Sequence, residues 1–100
     1  MKIVSFYDID ASLFNKEFEV EFFTNSSSDA DIVIIGIDSI FDFEENKSKV
    51  CKDKFASIAV IDDKSDYDAF KNFGIDAWIK AKDISQINNI INLVNKRLLS

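Results

Sequence analysis

The side chains with chemistry to offer in this chain are carboxylates, lysines and one thiol, and most of them fall just beyond apolar runs. Asp8 and Asp10 follow the run at 2–7, Asp38 follows "IVIIGI" at 32–37, Asp62 and Asp63 follow "ASIAVI", and Lys80 and Lys82 close the run "DAWIK". Carboxylates gathered at one rim can hold a divalent cation, or can be neutralised by a lysine that reaches among them. At the end of the most apolar run stands Gly36, a residue with no reactive group, in a position where chemistry is expected. Histidine is absent and Cys51 is the lone cysteine, so neither a zinc ligand set nor an internal disulfide can be assembled. Cys51 has Lys49 and Lys52 nearby, yet on an apolar helix face it reads as a small core residue rather than a reactive thiol. No Gly-rich phosphate loop and no nucleophile with a base beside it is present.

With 100 residues and 47% apolar content, the chain reads as one domain over residues 1–100. A net charge of -6 argues against direct contact with nucleic acid, which needs clustered Lys and Arg. No stretch of 18 apolar residues exists and the amino terminus has no signal-peptide pattern, so the expectation is a cytoplasmic protein away from the membrane. Periodicity stops at the terminal "NKRLLS", which reads as the start of a linker, so a further segment after Ser100 is an expectation.

Those rim residues need elements to carry them. Residues 2–7 read as a central strand, and "DASLFNKEF" as one or two helical turns capped by Asp10 or Ser12. Residues 17–24 alternate Phe18, Val20 and Phe22 against Glu17, Glu19 and Glu21, the mark of a half-exposed edge strand. "NSSSDAD" is a polar linker into the fully buried strand 32–37. Residues 38–55 carry Phe43, Val50, Cys51 and Phe55 at roughly helical spacing and predict one frayed helix, followed by a buried strand at 56–62. A helix capped by Ser65 and ended by Gly74 presents Tyr67, Phe70 and Phe73 along one side. A short strand spans 76–80, and a last helix spans 84–99, with Ile84, Ile87, Ile91, Val94 and Leu98 at steps of three and four. The alternation predicts a three-layer α/β domain with an open, parallel, five-stranded sheet in the order 2-1-3-4-5, shortened around strand 2, with its functional rim at the C-terminal strand ends.

In that order, "ADIVIIGID", "SIAVIDDK" and "GIDAWIKAKD" resemble the "PDLVLLDL", "PIIMLTAK" and "GADDYLVKPF" segments of the response-regulator receiver (CheY-like) domain. The resemblance implies a phosphoryl-accepting site, and it places that site's parts residue by residue. The phosphoacceptor falls on Gly36, which cannot form an acyl phosphate. The acidic pair falls on Tyr7 and Asp8, leaving Asp8 as a weak candidate for Mg²⁺, and no cofactor is expected. The hydroxyl of the fourth strand falls on Asp62, the lysine on Ala81 beside Lys80 and Lys82, and the switch aromatic on Trp78. Asp38, two residues beyond Gly36, stands about 6–7 Å further along a strand and reads as a loop carboxylate or helix cap. The family's second helix has no counterpart, which would open one face of the sheet.

The resemblance therefore implies a pseudo-receiver: a non-enzymatic, phosphorylation-independent module of signal transduction or transcription regulation. It would bind a protein partner or a second copy through the face formed by residues 65–99, with Tyr67, Phe70, Trp78, Ile87 and Ile91 as interface candidates. Two other readings stand beside it. One is a small flavodoxin-like domain that binds a ligand or ion on the acidic rim. The other is an anti-sigma-antagonist-like domain in which "GIDSIFDF" is a switch loop and Ser39 a phosphorylation target.

Overall fold

The apolar runs pair in parallel as one five-stranded sheet. A computed structural model describes residues 1–99; of the segment "NKRLLS" expected to open a linker, Asn95–Leu99 form a π-helical turn and Ser100 lies outside the described residues. The strands are β1 (Lys2–Ser5), β2 (Glu19–Phe22), β3 (Ala30–Ile35), β4 (Cys51–Ile61) and β5 (Ala77–Lys80), in the order β2-β1-β3-β4-β5. That is the doubly wound order of the flavodoxin-like and CheY-like folds. Helices α1 (Ile40–Val50) and α2 (Lys64–Phe70) cover one face, and α3 (Ile87–Val94) covers the other.

The core follows from β3, where Ile32, Val33, Ile34 and Ile35 are all fully buried. Ile32 and Ile34 pack with Ile58, Ile87 and Ile91 on the α3 side, while Val33 and Ile35 pack with Phe43, Val50 and Phe70 on the other. Each such side chain contributes about 1.5–3 kcal/mol by leaving water. The strand begins two residues earlier than the apolar run suggests and stops before Gly36; Ile37 passes into a short 3₁₀ turn, Ile37–Ser39.

Other boundaries shift for local reasons. β1 ends at Ser5 rather than Tyr7, because the Ser5 hydroxyl donates to Tyr7 O at 2.7 Å and accepts from Tyr7 N–H at 3.2 Å, turning the chain. The helix expected over 38–55 is α1 alone. Beyond Val50 the apolar stripe lapses, and Cys51 takes extended backbone as the first residue of β4 rather than a place on a helix. Residues 52–55 bulge opposite Asp31, since Cys51 pairs with Ala30 and Ala56 with Ile32, and Lys52 Nζ meets Asp31 Oδ1 at 2.9 Å. At β2, Phe18 and Val20 pack on the α3-side core as the alternation predicts, but Phe22 is left 41% exposed at the open end. Glu21 Oε1 lies 3.5 Å from Lys2 Nζ and has no hydrogen bond. The last helix is three pieces: a 3₁₀ segment Ala81–Gln86, α3, and a π-helical turn Asn95–Leu99. The wider π turn brings Leu99 rather than Leu98 onto the core.

Between β2 and β3 there is no helix. Residues 24–27 form a turn closed by their own side chains: Ser27 Oγ accepts from Thr24 N–H at 2.9 Å and Thr24 Oγ1 accepts from Ser26 N–H at 3.3 Å. The sheet face left bare is covered by rings instead. Phe6 stacks on Phe23 at 4.3 Å and meets Phe43 edge-on at 5.8 Å, and Phe43 meets Phe55 at 6.3 Å.

Two outcomes check this packing. Ile91→Ala, at a fully buried site, lowers the urea-unfolding free energy by about 2–5 kcal/mol, whereas Leu98→Ala stays within about 0.5 kcal/mol. Asp29 enters β3 with φ of 61°; Asp29→Val there lowers stability by about 1–2 kcal/mol while Asp29→Gly does not, because only the β-branched side chain resists the left-handed region.

Candidate functional site

The rim expected to carry function is the C-terminal end of β1, β3 and β4, and the short connections there set its shape. A cleft of about 450 Å³ is lined by Tyr7, Asp8, Gly36, Asp38, Asp42 and Asp62, together with Phe6, Ile37, Ser39 and Val60. Thus Tyr7, Asp8, Asp38 and Asp62 do come together around Gly36. Lys80 and Ala81 do not join them.

Gly36 is explained by its neighbour. Its φ of -112° and ψ of 173° are extended backbone open to any residue. A Cβ built on it, however, would stand 2.5 Å from Tyr7 Cδ1 and 3.2 Å from Tyr7 Cε1. The Tyr7 ring therefore occupies the volume that a side chain at 36 would need. Ser39 locks the turn beneath it, its hydroxyl accepting from Gly36 N–H at 3.0 Å and donating to Gly36 O at 3.2 Å. Partial burial raises the pKa of the Tyr7 phenol, and the charges of Asp62 and Asp8 raise it further, so the ring stays protonated among carboxylates.

Asp42, in the first turn of α1, is a lining residue missed by the sequence reading; its spacing of four from Asp38 was the available signal. Two other carboxylates stand apart as caps. Asp10 accepts from Ser12 N–H at 2.9 Å, and Asp63, not Ser65, caps α2 by accepting from Ser65 N–H at 2.9 Å. Asp66 reaches back to Asp62 N–H at 2.8 Å. These hydrogen bonds hold the carboxyls of Asp10 and Asp63 below their ordinary range. Among the described residues, no group of three or more His, Cys, Asp or Glu side chains is placed to hold a metal ion.

The lysines belong to a neighbouring cleft of about 470 Å³, lined by Asp62, Asp63, Lys64, Tyr67, Lys80 and Lys82. Neither Lys80 nor Lys82 forms an ion pair among the described residues, so the neutralising bridge into the acidic rim is not made. Ala81 opens the 3₁₀ segment and packs toward the α3-side core. Trp78 packs against α2, with Tyr67 at 4.6 Å and Phe70 at 5.8 Å between ring centres. Of the interface candidates, Phe70, Ile87 and Ile91 are fully buried in the two cores and out of a partner's reach; Tyr67, 44% exposed, and half-buried Trp78 remain.

No family model, curated protein or solved structure matches this chain. The chemistry of the rim is therefore argued from its own residues. Four carboxylates face one cleft with no lysine or arginine among its lining. A phosphoryl group entering it would meet repulsion on several sides and no acceptor at 36. Burial pushes the Cys51 thiol up to about 11 from an ordinary 9.0, which disfavours the reactive thiolate.

Gly36→Ala is expected to destabilise the fold by about 1–3 kcal/mol through collision with the Tyr7 ring. Much of that loss disappears in a Tyr7→Ala background, a coupling of about 0.5–3 kcal/mol that a double-mutant cycle in urea reads directly. For Cys51, thiol labelling at pH 8 is slower in the folded chain than in urea. The stability that comes from keeping this thiol neutral is present below its unfolded value of 9.0 and is lost as pH rises towards about 11.

Proposed function

We propose that this chain is a receiver-like signalling module that works without aspartyl phosphorylation, and without catalysis, by binding a protein partner or a second copy of itself. The observation that carries this reading is the Tyr7 ring lying on Gly36, where a Cβ would stand 2.5 Å away. In a receiver-like site the group at that position is the carboxylate that takes the phosphoryl group. Here the position has neither the carboxylate nor the space for one. The cation-free lining of the acidic cleft supports the same conclusion, because phosphoryl transfer rests on positive charge held close to the transferring oxygens.

The binding face in this reading is the one built from α2, β5 and α3. Among the described residues, three of the seven large apolar side chains that stand exposed lie on these elements or the π turn that follows α3: Tyr67, Leu93 and Leu98, at 44%, 43% and 42%. Trp78 lies beside Tyr67 and gives that face an aromatic anchor of the type that concentrates binding energy.

Intact-mass spectrometry after incubation with acetyl phosphate and Mg²⁺ tests the reading. The expected result is an unchanged mass. A stable gain of one phosphoryl group, mapped to Asp38 or another carboxylate of the rim, would overturn it and make the chain a working switch.

A further inference from the structure

The two edges of the open sheet are built differently. Alongside the outer edge of β2 run Glu17, Glu19 and Glu21. Antiparallel pairing of two such edges about Glu19 would set the exposed Glu19 of one copy against that of the other, which disfavours self-pairing at this edge, while Glu21 is turned to Lys2 at 3.5 Å. The outer edge of β5 has the opposite character. Its sequence is Asp76-Ala77-Trp78-Ile79-Lys80, with acid and base equally spaced about Trp78. Ala77 and Ile79 pack toward the α3-side core and Trp78 toward the other, so Asp76, Trp78 and Lys80 share one face by alternation. Asp76 N–H donates to Ser57 O of β4 at 3.1 Å. The same alternation turns the N–H and C=O of Ala77 and Ile79 outward, where no strand receives them.

We infer that a second copy of this chain occupies that edge, β5 pairing antiparallel with its counterpart about a twofold axis at Trp78 and joining two sheets into one. The inference rests on the reading of residues 65–99 as the binding face, and it replaces a helix-surface contact with a strand-to-strand one. In this register Ala77 of each copy exchanges both backbone hydrogen bonds with Ile79 of the other. Trp78 lies opposite Trp78, and each Asp76 lies opposite a Lys80, so a twofold contact satisfies both charge pairs at once. The groups are available for this. Lys80 is exposed and makes no hydrogen bond or ion pair among the described residues. Asp76 uses Oδ2 for Ser57 N–H at 2.9 Å and leaves Oδ1 free of any hydrogen bond among those residues. Two clefts, of about 450 and 150 Å³, run along the same edge between β5 and α3. They are banked by Ile90 and by the exposed Leu93 and Leu98, which give an added strand apolar cover.

Light scattering of the full chain across a concentration series, read together with the fluorescence of its single tryptophan, tests the inference. The expected mass is twice 11.4 kDa, falling to 11.4 kDa on dilution, with a change in Trp78 emission over the same range. Lys80→Glu places an acid opposite Asp76 and raises the dissociation constant by tenfold or more. Ala77→Pro removes an outward N–H at the first residue of an edge strand, where proline is tolerated, and leaves a monomer whose circular dichroism is unchanged. Glu19→Lys on the other edge leaves the dimer intact. Should Ala77→Pro fail to fold, Lys80→Glu decides the question, since Lys80 is exposed and unpaired. A mass of 11.4 kDa at sub-millimolar concentration, or a dimer indifferent to both β5 variants, overturns the inference. Either outcome leaves the binding-module reading standing; that reading falls only on uptake of a phosphoryl group.

Discussion

The connection from β2 to β3 constrains everything on one side of this molecule. Seven residues, 23–29, must carry the chain from the end of an edge strand across β1 to the start of β3. A six-residue strand alone is about 20 Å long, and seven residues reach about 23–25 Å extended but only about 10 Å as a helix. A helical crossover is thus geometrically excluded, and the apolar face of β1 and β3 has to be sealed by side chains. Phe6, Phe23, Phe43 and Phe55 provide that seal as a chain of ring contacts.

The same sealing reaches the rim. Phe6 belongs to the ring chain and Tyr7 follows it, so the backbone at the end of β1 is committed on both faces at once. Ser5 holds the Tyr7 peptide through two hydrogen bonds, which aims the ring at Gly36. A glycine is then needed at 36 because of what lies over it, and not because of its backbone angles. The acidic cleft is a by-product of this arrangement. Asp8, Asp38, Asp42 and Asp62 ring a tyrosine and face solvent, and the lysines that could have balanced them lie in the next cleft beyond Asp62.

Much of this was legible in the sequence where one physical signal dominated. The run 32–37 announced a strand buried on both faces, the glutamates at 17, 19 and 21 announced an edge, and the polar tract after Thr24 announced the missing crossover helix. Legibility failed where two signals competed. Residues 51–55 carry apolar residues at a spacing that also suits a helix, and only the pairing of Cys51 with Ala30 draws them into β4. Ser65 and Asp63 are both good caps, and the capping box with Asp66 selects Asp63. Leu98 continues the helical stripe on paper, and a π turn hands its place to Leu99. Gly36 was noticed, but the ring over it could not be seen without the fold.

A switch needs two arrangements of one element and a ligand that binds them unequally. Under the proposed function, the rim of this domain offers only one. The volume where a phosphoryl group would be accepted is filled by Tyr7, and Trp78 is held between Tyr67 and Phe70 instead of being free to change sides. Regulation then has to enter through mass action. The population of a bound state rises with the concentration of the chain or its partner, by an amount fixed by affinity alone. Under the proposed function, such a domain would respond to how much of it is present, and its specificity would reside in the edges and faces of the sheet instead of in the cleft.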